Sequence, residues 1–107
     1  MVVVIGRVRT DSSKREQLLR IGQEVARASR EEAGCLGYRF YADTELEDAY
    51  LFVEEWESMD ALREHFATPH IATFMGAIFD AIVDRPDVQV HEVGRTMTLG
   101  EAAGGGT

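Results

Sequence analysis

The sequence predicts an α+β domain, a ferredoxin-like split-βαβ sandwich in which helices cover one face of a four-stranded antiparallel sheet. Two observations predict it. Segments with apolar residues at alternate positions and segments with apolar residues every three or four positions succeed one another in the order β-α-β-β-(α-α)-β. The chain has 107 residues, which suits one domain rather than two. There is no internal repeat and no linker, so residues 1–94 are expected to form the domain. Residues 95–107 are expected to be a partly flexible tail, because Gly100 to Thr107 is small and glycine-rich.

Residues 2–9 are a β-branched run, with Val2, Val4, Gly6 and Val8 on one face and Val3, Ile5, Arg7 and Arg9 on the other. Thr10-Asp11-Ser12-Ser13 supplies helix N-cap types. The stripe Leu18, Ile21, Gly22, Val25, Ala28, Ser29 predicts the helix that follows, and Gly34 is placed to stop it. Cys35 to Asp43 reads as a strand, with Leu36, Tyr38 and Phe40 on one face and Cys35, Gly37, Arg39 and Tyr41 on the other. After the polar loop 44–48, Tyr50, Phe52, Glu54 and Trp56 alternate with Leu51, Val53, Glu55 and Glu57 in a third strand. Ser58 caps a helix that breaks at Thr68-Pro69. A second helix, carrying Ile71, Phe74, Met75, Ile78, Phe79 and Ile82, runs from there to Arg85-Pro86. Asp87 to Val93 alternates as the last strand.

Apolar residues make up 45 % of the chain and charged residues 28 %, the balance of a globular domain and not of a disordered or membrane chain. A net charge of −8 repels phosphate backbones and anionic lipid, so no nucleic-acid or membrane partner is expected. With no signal-peptide pattern and no run approaching ~20 apolar residues, a cytoplasmic location is expected. The single Cys35 excludes an internal disulfide and a multi-cysteine metal site. A domain this small has little core to spare for a cavity. The sheet face away from the helices would carry Val3, Ile5, Cys35, Gly37, Tyr41, Leu51 and Val53. That face is too apolar to meet water bare, which predicts a homodimer through it.

No phosphate loop, GxSxG elbow, HExxH or CxxC pair is present. Asp60, Glu64, His65 and His70 suggest a metal, but five residues across a proline break give His65 and His70 no shared helix face, so none is expected. Cys35 reads as a small buried hydrophobe, with a nucleophile as the alternative. Glu54 beside Trp56 is either an edge carboxylate next to a core aromatic or a base whose pKa is raised in an aromatic-lined pocket. His65 and His70 are either ordinary histidines or proton-transfer groups flanking the helix break. His91 has only a structural reading.

Glu32-Ala33-Gly34-Cys35-Leu36-Gly37-Tyr38 resembles the "E-P-G-C-L-x-Y" signature of the antibiotic biosynthesis monooxygenase (ABM) domain family. Glu54-Glu55-Trp56-Glu57-Ser58, Ala61-Leu62-Arg63-Glu64-His65 and Thr68-Pro69-His70 resemble its "E-x-W-x-S…A-L-x-x-H…S-P-H" run, with Ala33 for the usual proline and Thr68 for the usual serine. The resemblance extends from Val2 to about Val93. It implies a dimeric α+β barrel with a pocket between sheet and helices in each protomer. It also implies oxidation of a quinol-like or hydroxylated aromatic compound by O₂ as co-substrate, without flavin or metal. By position, Tyr38, Glu54, Trp56 and Phe74 would bind substrate, and His65 and His70 would be catalytic. Gly6 stands where the haem-degrading branch has its Asn and Met75 near that branch's iron ligand, so haem is not expected. The alternatives are a non-catalytic aromatic-binding dimer and a non-redox isomerase on the same fold.

Overall fold

A computed structural model describes residues 1–105. Its elements are β1 (Val2–Arg9), α1 (Arg15–Arg30), β2 (Cys35–Ala42), β3 (Ala49–Trp56), α2 (Met59–Phe66), α3 (Pro69–Ala81), β4 (Asp87–Glu92) and α4 (Leu99–Ala102). The sheet order is β2-β3-β1-β4 with every pair antiparallel, the ferredoxin-like arrangement expected from the element order. Register sets which side chains meet. One inward row runs Tyr38, Glu54, Val4, Val90, and the next runs Phe40, Phe52, Gly6, Val88. Val2, Val4, Leu18, Val25, Tyr38, Phe52, Trp56, Leu62, Ile71 and Ile78 form the buried core between the sheet and α1–α3. No helix among the described residues is long and apolar enough to cross a membrane.

Several boundaries differ from the sequence expectation, each for a local reason. The Thr10–Ser13 cluster does not cap α1. Lys14 is the N-cap and makes no side-chain cap bond. The Asp11 carboxylate instead accepts from the Ser13 amide, while the Thr10 hydroxyl donates to the Ala81 carbonyl at 2.7 Å and ties β1 to the end of α3. Helix α1 closes on Glu31 in right-handed geometry, so Gly34 is not its stop. Gly34 is needed because a Cβ there would collide with the Ala61 side chain of α2. In β2, Cys35 pairs with Trp56 and Gly37 with Glu55, so Leu36 is an extra bulged residue. The bulge turns Cys35 to the helix side, against the core, and leaves Leu36 54 % exposed; Cys35 is therefore not on the outer sheet face.

Thr68 and Pro69 begin α3 as its N-cap and first residue. The helix ends at Ala81, well before Arg85-Pro86. Ile82 turns extended and is buried, and the Val83 amide bonds the Arg9 carbonyl at 2.9 Å. The tail is not featureless, since Thr98 and Glu101 form a capping box that starts α4. Residues 106 and 107 of the expected flexible tail lie outside the described residues.

The two glycine environments give opposite stability predictions. Gly34→Ala is expected to cost about 1–3 kcal/mol through overpacking against α2. Gly76→Ala, in α3 with nothing within 4 Å of the added Cβ, is expected to gain about 0.5–1 kcal/mol. Urea unfolding of both variants checks the pair.

Candidate functional site

A cavity of about 250 Å³ lies between the inner face of the sheet and α2–α3. Sheet register makes its floor, because Gly6 opposite Phe52 leaves the space a side chain would take. Its walls are apolar, with Val4, Val8, Ile71, Phe74, Met75 and Ile78 prominent. Polar side chains enter at one end only, as Tyr38, Glu54 and His65. Phe66, Met75, Phe79 and Val88 line the cavity and are themselves exposed, so the rim is also apolar.

The polar end is built by three local rules. Trp56 and Glu54 are two residues apart on one strand and so share a face, which lets the indole Nε1 donate to Glu54 Oε1 at 3.0 Å. Tyr38 is the cross-strand neighbour of Glu54. His65, in the last turn of α2, is 1 % exposed, and its ring lies 4.4 Å from the Trp56 ring. Burial pushes Glu54 up to about 7, against the opposing hydrogen bonds from Trp56 and Tyr38, with repulsion from Glu32 adding to the rise. Burial, then the neighbouring Glu54, raises the Tyr38 phenol. Burial lowers His65 despite the Glu32 carboxylate beside it. Near neutral pH the end of the cavity therefore offers a neutral imidazole, a neutral phenol and a carboxyl that is partly protonated.

Glu32, in the connection between α1 and β2, organises this end from behind. Its Oε2 is 2.6 Å from His65 Nδ1 and 2.8 Å from His70 Nε2. A carboxylate oxygen only accepts, so both ring nitrogens donate to it. With its proton on Nδ1, His65 presents the Nε2 lone pair on the opposite side, 3.8 Å from Glu54 Oε1.

The sequence candidates divide accordingly. Tyr38, Glu54, His65 and Phe74 line the cavity. Trp56 is fully buried behind Glu54 and is not part of the wall. His70 lies outside it, at a second cleft between α1 and α3. The proline break does not separate the two histidines, as their spacing suggested, but folds their rings to 5.9 Å apart around Glu32. Asp60 and Glu64 are exposed, with Asp60 paired to Arg63 at 3.1 Å. Burial raises the Cys35 thiol, which keeps it protonated and suits its packing role. Sequence reasoning assigned no role to Glu32, although it opens the 32–38 signature. Its contacts are 33 and 38 residues away in the chain.

The Glu54 shift has a stability consequence of definite sign. The folded chain holds this proton more tightly than the unfolded chain, whose value is near 4.5. The stabilisation is fully present below pH 4.5 and is lost as pH rises through about 7. Glu54→Gln keeps an acceptor for Trp56 but cannot ionise. Relative to wild type it should gain at most about 3 kcal/mol between pH 4.5 and pH 8. Urea melts at the two pH values test this, and parallel pH dependences for the two proteins would refute it.

Comparison with known proteins agrees with the fold. The antibiotic biosynthesis monooxygenase family profile matches residues 1–77. An uncharacterized protein of Synechocystis is 31 % identical over 98 residues, covering 92 % of this chain and 67 % of its own length. A Deinococcus radiodurans structure named after the same family superposes with a TM-score of 0.87 at 24 % identity, covering 92 % of this chain and 98 % of its own. A Mycobacterium tuberculosis structure superposes with a TM-score of 0.84 at 23 % identity, covering 91 % and 98 %. At those identities the two structures speak for the fold, and the profile match speaks for the family. The chain belongs to the antibiotic biosynthesis monooxygenase family.

Proposed function

We propose that the cavity oxidises a quinol-like or hydroxylated aromatic molecule with O₂, and that His65 is the base. The observation that carries this reading is the restriction of polar side chains to Tyr38, Glu54 and His65 at one end of an otherwise apolar cavity. A flat ring carrying an acidic hydroxyl suits such a space, its apolar body against Phe74 and Ile78 and its hydroxyl toward His65. The family description supports the reaction class.

In this reading His65 Nε2 takes the phenolic proton, and the Glu32 carboxylate stabilises the imidazolium that forms. The phenolate passes one electron to O₂, giving superoxide and an aryloxyl radical whose spin is shared with ring carbons. These combine at a ring carbon bearing hydrogen. The resulting peroxide takes a proton from the His65 imidazolium or from the Glu54 carboxyl. Loss of water, with departure of the ring hydrogen as a proton, leaves a carbonyl. For a hydroquinone the balance is one quinol and one O₂ giving one hydroxyquinone and one water. The chain's part is to bind the ring, move the proton and keep water from the intermediates. No cofactor is required, and O₂ is the co-substrate. Trp56 positions Glu54, and His70 positions His65 through Glu32.

Oxygen uptake by metal-free protein with a panel of hydroquinones and naphthols tests the reaction. His65→Ala should lower turnover by about 100-fold or more, the usual worth of a general base. His70→Ala should lower it by a smaller factor. Product formed under strict anaerobiosis would instead identify a non-redox isomerase. Saturable binding of these compounds without O₂ uptake would identify a non-catalytic binding protein.

The same reading includes a homodimer through the outer sheet face, where Val3, Ile5, Leu51 and Val53 are each only partly covered. Light scattering at micromolar concentration should give twice the mass of 11.9 kDa, and a monomer mass would refute it.

A further inference from the structure

We propose that Glu32, His65 and His70 also form a binding site for a divalent transition-metal ion of the zinc type. Glu32 Oε2, His65 Nδ1 and His70 Nε2 all lie within 4.8 Å of one another. Zinc binds nitrogen and carboxylate oxygen at ~2.0–2.2 Å, which in a tetrahedral site places the donors about 3.3 Å apart. The carboxylate oxygen is now 2.6 and 2.8 Å from the two nitrogens, so it must retreat by about 0.7 and 0.5 Å, while the nitrogens, within 4.8 Å of each other, close to about 3.3 Å. Glu32 can do so because it sits in a connection and not in a helix or strand. Two imidazoles and a carboxylate are the donors of open zinc sites, and the nitrogens select against magnesium and calcium, which prefer oxygen.

Two further observations point the same way. A metal-binding histidine usually donates its other ring N–H to a carboxylate, and His65 Nε2 lies 3.8 Å from Glu54 Oε1. The site also has an access route. His70 and Glu24 line the cleft of about 230 Å³ between α1 and α3, and a chain of net charge −8 draws cations toward it.

Occupation has a consequence for the cavity, which rests on the role proposed for His65, whereas binding itself does not. The ion takes the Nδ1 position, so the single ring proton shifts from Nδ1 to Nε2 and faces Glu54. The base is then lost, and the metal-bound protein is the inhibited form.

Chelator-treated protein titrated with Zn²⁺ by calorimetry, and with Co²⁺ by visible absorption, tests the site without any substrate. One equivalent should bind, and zinc should raise the melting temperature. His70→Ala and Glu32→Gln should each weaken binding at least about tenfold, while Cys35→Ser should leave it unchanged. Circular dichroism of each variant establishes that it is folded before titration. Absence of saturable binding at millimolar metal would overturn the proposal. So would binding that is indifferent to both His70→Ala and Glu32→Gln. One-equivalent binding with undiminished oxidation would uphold the site and overturn only the proposed role of His65.

Discussion

The site depends on one carboxylate oxygen, Glu32 Oε2, that accepts from two histidines at once. The three residues come from the α1–β2 connection (Glu32), the end of α2 (His65) and the first turn of α3 (His70). Helices α2 and α3 meet at a break where neither continues the other's hydrogen bonding, and Glu32 fixes the two sides of that break to a third segment. The same contact decides the His65 tautomer and thereby aims its Nε2 toward the cavity. Charge-assisted hydrogen bonds of this kind are stronger than neutral ones, and the burial of His65 shields its bond to Glu32 from solvent, while His70 keeps partial exposure.

The cavity is the result of a balance set by strand register. Opposite Phe52, Gly6 contributes no side chain, and space opens above it. One row away, Tyr38 and Glu54 stand side by side. A buried carboxyl is costly when charged, and the hydrogen bonds from Trp56 and Tyr38 offset only part of that cost, which is why Glu54 holds its proton to near neutrality. An apolar wall and a proton-exchanging end are thus consequences of one sheet face. The wall supplies the low dielectric that the polar end needs.

Much of this was legible in the chain. Alternation and helical spacing gave four strands and the broken helix in their order, because both periods follow directly from backbone geometry. Ser58 and Thr68-Pro69 marked helix starts through local chemistry, and both act as N-caps or first residues in the structure. The same logic misread Gly34, whose reason is a collision with α2 and not a helix end. It misread Thr10 too, whose hydroxyl serves a carbonyl 71 residues away. In both cases a local rule lost to a contact distant in sequence.

The sequence by itself determined the fold and the strand carrying Tyr50, Phe52, Glu54 and Trp56 on one face, and its motif resemblance named six site residues, of which Tyr38, Glu54, His65 and Phe74 line the cavity and Trp56 and His70 do not. Each of these rests on short-range periodicity or on a motif with fixed spacing. Only the tertiary structure decided that Glu32 joins His65 to His70, that His70 stands behind the cavity, and that a bulge at Leu36 carries Cys35 inward. Spacing along a chain says which face a side chain takes within its own element. Which atoms then meet is set by how the elements pack, and the Glu32 contacts span more than 30 residues.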